Sequence, residues 1–69
     1  MKRRQYEGQS YSNEFWFTKL GEEFGEVARE LVDIFKGDSE RPVGKLIKEL
    51  EHVEFIARCF REDIARRGF

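Results

Sequence analysis

Apolar residues recur along the first half of the chain at Leu20, Phe24, Val27, Leu31 and Ile34, in steps of four, three, four and three. That spacing places them on one face of an α-helix. The stretch "KGDSERPVG" then interrupts the pattern with the only proline, Pro42, and with Gly37 and Gly44. Beyond it the rhythm resumes at Leu46, Leu50, Val53, Ala57, Phe60 and Ile64, with Ile56 widening the stripe. No strand-like alternation competes. The pattern predicts one domain over residues 1–69, with helical arms at 12–37 and 42–67 and an N-terminal segment, 1–11, that is loop or a short extra helix.

Local signals agree with these bounds. Ser12 or Asn13 can cap the first arm, and Gly37 suits its end. Pro42 is tolerated in the first turn of the second arm, whose closing "ARRG" sets cations and then glycine where a helix stops. Two arms of similar length fold back as an antiparallel hairpin. A lone hairpin leaves apolar surface wet, and a core of this size supplies only about 3–5 kcal/mol. The expected architecture is therefore all-α: an antiparallel helical hairpin that oligomerises into a four-helix bundle, as a homodimer or homotetramer.

Composition narrows the partners. The chain is 39% hydrophobic and 39% charged, too apolar for a disordered acidic segment and too charged for a membrane protein. Thirteen Lys and Arg against fourteen Asp and Glu leave a formal charge of -1, so nucleic acid is not an expected partner, although "KRR" and "ARRGF" make both ends basic. Cys59 is the only cysteine, which excludes an internal disulfide and any CxxC zinc spacing. No window approaches the ~20 apolar residues of a membrane span, and the basic start is not followed by the apolar run of an export signal. A cytoplasmic protein is expected.

The acids carry the candidate chemistry. On a helical projection of about 100° per residue, Glu23, Glu26, Glu30 and Asp33 form one flank beside the first apolar seam. Glu49, His52 and Asp63 flank the second, whereas Glu51 and Glu54 point to its other side. Carboxylates at i and i+3 on facing helices can surround one cation with hard oxygen ligands, the chemistry that Mg²⁺ prefers. The same acids also fit a solvated, salt-bridged face with Lys19, Arg29 and Lys48 as neighbours, and spacing alone leaves both readings open. Gly21 and Gly25 lie inside this helix at roughly 1 kcal/mol each relative to alanine, a cost that close approach of a helix or ligand would explain.

These residues resemble the MazG-like branch of the all-alpha nucleoside triphosphate pyrophosphohydrolases. The family's EExxE motif is matched by Glu22-Glu23-Phe24-Gly25-Glu26 within "KLGEEFGEVARELVD". The upstream "RQYEGQSYSNEFW" is similar too, with Gln5, Gly8, Gln9 and Trp16 as matching points. The second motif, ExxD, aligns with Glu49 and His52, so that an imidazole stands where the family has an aspartate. The resemblance implies a Mg²⁺-dependent enzyme that releases pyrophosphate from an NTP or dNTP. It casts Glu23, Glu26, Glu49 and His52 as metal ligands and Glu22 as a further ligand or the base, so the catalytic set is Glu22, Glu23, Glu26 and Glu49. His52 shifts the metal preference toward Mn²⁺ or Zn²⁺. Trp16 and Phe17 are placed to stack on a base or to pack the core, and Lys19, Lys45 and Lys48 to meet phosphates. The alternatives are a degenerate relative that binds nucleotide or protein without hydrolysis, and a helical adaptor whose basic ends engage nucleic acid.

Overall fold

In the computed structural model, residues 1–37 and 43–69 are described, and they form a helical hairpin preceded by an N-terminal strap with a single 3₁₀ turn at Arg3–Gln5. Helix α1 spans Asn13–Phe35 and helix α2 spans Val43–Arg67. Pro42 and the rest of the predicted break at 38–42 lie outside the described residues. Among the described residues no helix is long and apolar enough to cross a membrane.

The helix ends follow from local chemistry. Ser12 is the N-cap: its Oγ accepts the Phe15 amide at 3.1 Å and satisfies one of the donors that a helix start leaves orphaned. At the other end of α1 the chain turns left-handed at Gly37, φ +86°, where the amide bonds back to the Ile34 carbonyl at 3.0 Å. A side chain would strain that conformation. Gly68, φ +79°, closes α2 in the same way through the Ile64 carbonyl.

The helices run antiparallel, as the contacts of Trp16 with Asp63, Glu23 with His52 and Glu30 with Lys45 show. Their shared seam matches the one the apolar spacing predicts only in part: Leu20, Val27, Ile34 and Ile56 lie on it. On α1 it runs through Trp16, Leu20, Glu23, Val27, Glu30 and Ile34, all buried or half-buried, while Phe24 of the predicted seam faces outward. On α2 the buried positions are Phe55, Ile56, Cys59 and Asp63, and Leu50 and Ala57 are exposed. Each helix turns one edge of its apolar stripe, together with the neighbouring acids, toward its partner. A polar contact favours this rotation: it brings the buried Asp63 to the Trp16 indole N–H, and a buried charge without partners is costlier than a wet leucine.

The apolar core sits at one end of the hairpin, where Tyr6, Trp16, Phe55, Ile56 and Cys59 cluster against Tyr11, Leu20 and Phe60. Phe60 stacks on the Trp16 indole at 5.9 Å between ring centroids, and Tyr11 meets it edge-on at 5.3 Å. Around this cluster Asp63, fully buried, accepts from Trp16 Nε1 at 2.8 Å, Ser10 Oγ at 2.8 Å, the Tyr11 amide at 3.0 Å and Arg67 Nε at 2.9 Å. Burial pushes the Asp63 carboxyl up, but these donors more than offset it and hold the group well below the usual carboxylate range. The Cys59 thiol is pushed up by burial, as expected of an inert packed sulfur.

Two predictions follow from this packing. Ile56 is fully buried, so Ile56→Ala should cost about 2–5 kcal/mol of stability by urea unfolding. Because the folded-state pKa of Asp63 lies below its unfolded value, its contribution is present above the ordinary aspartate range and is lost as the pH falls through and below it. The urea midpoint should therefore drop in acid, and Asp63→Asn should lower the neutral-pH midpoint while flattening that acid dependence. An unchanged profile in Asp63→Asn would contradict the assignment.

Candidate metal centre

Midway along the hairpin the apolar seam gives way to Glu23 and Glu26, one turn apart on α1, and Glu49 and His52, one turn apart on α2. One ligand atom from each lies within 4.8 Å of all the others. His52 Nδ1 stands 3.6 Å from Glu23 Oε2 and 3.5 Å from Glu49 Oε2. Both distances exceed a good hydrogen bond, and neither oxygen has a hydrogen-bond partner among the described residues. The Glu23 side chain is only 7% exposed, so its unpartnered oxygen is withheld from solvent as well.

Imidazole nitrogen and carboxylate oxygen bind first-row divalent cations at about 2.0–2.2 Å, which sets neighbouring ligands about 3–4 Å apart. The His52–Glu23 and His52–Glu49 pairs fit that spacing, and the whole set lies within 4.8 Å. Its members also respond to one another. Hydrogen bonding with the Glu49 carboxyl pushes the Glu26 carboxyl up, and burial and the Glu49 charge add to the shift. A bound cation would relieve the same crowding of carboxylates. Lys19 supplies part of the compensation from 3.7 Å beside Glu23, with its ammonium 5.4 Å from the Tyr6 ring centroid. Burial pushes Lys19 down, but Tyr6, Glu22 and Glu23 more than offset this and hold it above the usual lysine value.

The other expected site residues divide clearly. Glu22 is exposed and paired with Lys19 at 3.5 Å, outside the four-residue group. Of the two readings of Trp16 the structure favours the core: it is fully buried in this hairpin, with its indole N–H committed to Asp63. Phe17 is exposed, but it belongs to a separate apolar hollow with Asn13, Glu14, Phe60 and Phe69. Lys48 lies on the exposed surface of α2. Gly21 and Gly25 lie open, with no atom within 4 Å of where a Cβ would stand, so close packing inside the hairpin does not account for them.

A cleft of about 370 Å³ adjoins the cluster, lined by Glu26, Arg29, Glu30, Lys45 and Glu49. Lys45 reaches the buried Glu30 carboxylate at 3.5 Å. Arg29 is the member that the acid pattern misses as a site residue. Its position one turn after Glu26, matching Lys45 one turn before Glu49, is the signal that would have found it.

No protein-family model matches the chain, and no curated protein or solved structure matches it either. The geometry therefore carries the reading. Titration calorimetry with Mn²⁺ should show one site per chain, with affinity at least about tenfold weaker in Glu23→Gln, since even indirect partners of metal ligands cost 10–100-fold. Glu22→Gln should bind like the parent chain, and equal losses in the two variants would point to a diffuse acidic surface instead.

Proposed function

We propose that the chain is a metal-dependent nucleoside triphosphate pyrophosphohydrolase, acting on an NTP or dNTP and assembled from at least two copies. The observation that carries this reading is the pair of unpartnered oxygens, Glu23 Oε2 and Glu49 Oε2, drawn from two helices onto one imidazole. An acidic face evolved for solvation would not hold such oxygens out of water. The similarity to EExxE and ExxD then gives the group a chemistry.

In this reading Glu23, Glu26, Glu49 and His52 hold the cation. Mg²⁺ is the ion the resemblance implies, and the imidazole moves the preference toward Mn²⁺. When bound, the ion neutralises phosphate charge and lowers the pKa of coordinated water. Glu22, exposed beside Glu23 and outside the ligand set, is left as the base that takes a proton from attacking water. Lys45 and Arg29, across the adjoining cleft, offset the charge of the phosphates that the carboxylates would otherwise repel. Lys19 holds Glu23 in place, and Lys48 is left to long-range attraction.

A second reading is favoured by His52 itself: a MazG-like module that binds nucleotide or protein without turnover. One assay separates them. With a panel of NTPs and dNTPs, the hydrolase reading expects pyrophosphate release in Mg²⁺ or Mn²⁺, reduced by about a hundredfold or more in Glu23→Gln and in Glu49→Gln. His52→Asp should shift the preference toward Mg²⁺. Nucleotide binding with no pyrophosphate from any substrate, even in His52→Asp, would decide for the second reading.

A further inference from the structure

The N-terminal strap reaches toward the metal centre through one side chain, Tyr6, which is buried in the aromatic cluster. The strap is fastened on both sides of it. Before Tyr6, the Arg3 guanidinium lies 4.7 Å from the Phe55 ring centroid, and the Gln5 carbonyl accepts from the Tyr11 hydroxyl. After it, Glu7 meets Arg58 at 3.4 Å, the Gln9 carbonyl accepts from Arg66 at 3.0 Å, and Ser10 donates to Asp63. The ring itself packs beside Trp16 and Tyr11, each with centroids 6.4 Å away. A phenol held this firmly presents its hydroxyl to one place, and a buried tyrosine hydroxyl needs a partner there.

That partner is Lys19. Its ammonium is hydrogen-bonded to the Tyr6 side chain and lies 5.4 Å from the ring centroid. It also stands 3.5 Å from Glu22 Oε2 and 3.7 Å from Glu23 Oε1. The two oxygens of Glu23 are therefore divided. Oε1 turns to Lys19, whereas Oε2 turns to His52 at 3.6 Å and has no hydrogen-bond partner among the described residues. An ammonium on a flexible four-carbon stem has no intrinsic preference between the oxygens of one carboxylate, so a further contact must fix the side it takes.

We propose that Tyr6 is a positioning residue for the metal centre: its hydroxyl keeps the Lys19 ammonium on Glu23 Oε1 and so leaves Oε2 open to a divalent cation. This role rests on the metal-holding part of Glu23 in the reading above and not on hydrolysis. Without the hydroxyl the ammonium is free to swing onto Oε2, where one positive charge excludes another. Outer partners of ligating side chains set ligand orientation in this way, and their loss costs about 10–100-fold in metal affinity. The strap is then part of the site, although its residues lie outside the four-residue group. The role also explains the phenol, since packing beside Trp16 asks only for a ring.

The test is Mn²⁺ titration calorimetry on the full chain, with Tyr6→Phe made in two backgrounds, the parent and Lys19→Met. Tyr6→Phe keeps the ring and removes only the hydroxyl. In the parent background it should weaken Mn²⁺ binding by about tenfold. In Lys19→Met it should change nothing, because the group that the hydroxyl restrains is gone. Any general loss of packing in Tyr6→Phe enters both backgrounds, so the comparison reads the contact with Lys19 even where stability falls. Undiminished affinity in Tyr6→Phe overturns the proposal, and a weakened Glu23→Gln beside it leaves the metal centre standing. Equal losses in the two backgrounds also overturn it, since Tyr6 then acts through the fold alone. A parent chain that binds no Mn²⁺ removes the metal centre and the role of Tyr6 together.

Discussion

A single buried carboxylate organises this hairpin. Asp63 accepts from the strap through Ser10 and Tyr11, from α1 through Trp16 and from its own helix through Arg67, so three segments distant in sequence meet at two oxygens. A charge taken out of water is tolerable only with such a full set of donors, and each donor fixes the segment that carries it. The rotation of the helices follows. With Trp16 and Asp63 both inward at one end, the 3.6-residue period brings Glu23 and Glu30 inward on α1 and His52 inward on α2. The anchor thus sets the register that assembles the candidate metal centre two turns away.

The seam has two chemistries in series. Near Asp63 it is aromatic and satisfied; toward Glu23 and Glu49 it is acidic and left with unpartnered oxygens. Unsatisfied carboxylates in a small protein are a stability cost, and the Glu49 carboxyl pushes the Glu26 carboxyl up. This places binding at the middle of the hairpin and support at its end. The exposed apolar residues of α1 form a third region, joined to the aromatic end through the hollow that Phe17 shares with Phe60, which itself stacks on Trp16.

Much of this was legible in the sequence. Helix class, a cap at Ser12 or Asn13 and the glycine stop at Gly37 follow from local spacing, whereas Glu23, Glu26, Glu49 and His52 were singled out as one set by the family resemblance, spacing alone leaving a solvated acidic face open. The register was not. Apolar periodicity reports the average hydrophobic direction of a helix, and in α1 and α2 that average lies between two faces, one of which owes its burial to polar contacts. Asp63 read as one more flank acid because its donors, at Ser10, Tyr11 and Trp16, come from 47 to 53 residues away. Trp16 read equally as a base-stacking or a core residue for the same reason: its partner, Asp63, is invisible to any local window. Arg29 and Lys45 were separable from other surface cations only once the cleft beside Glu26 and Glu49 was known.

The placement of the core at one end has a consequence for how the molecule breathes. Trp16, Ile56, Cys59 and Asp63 are fully or almost fully buried, whereas Phe35 and Val43 at the opposite end are largely exposed. Amide protons should therefore exchange with solvent along a gradient, slowest beside the aromatic cluster and fastest toward the far tip. The acidic group lies partway along that gradient, so a cation bridging α1 and α2 there would extend slow exchange outward from the anchored end, giving the hairpin a ligand-dependent boundary between its rigid and its opening halves.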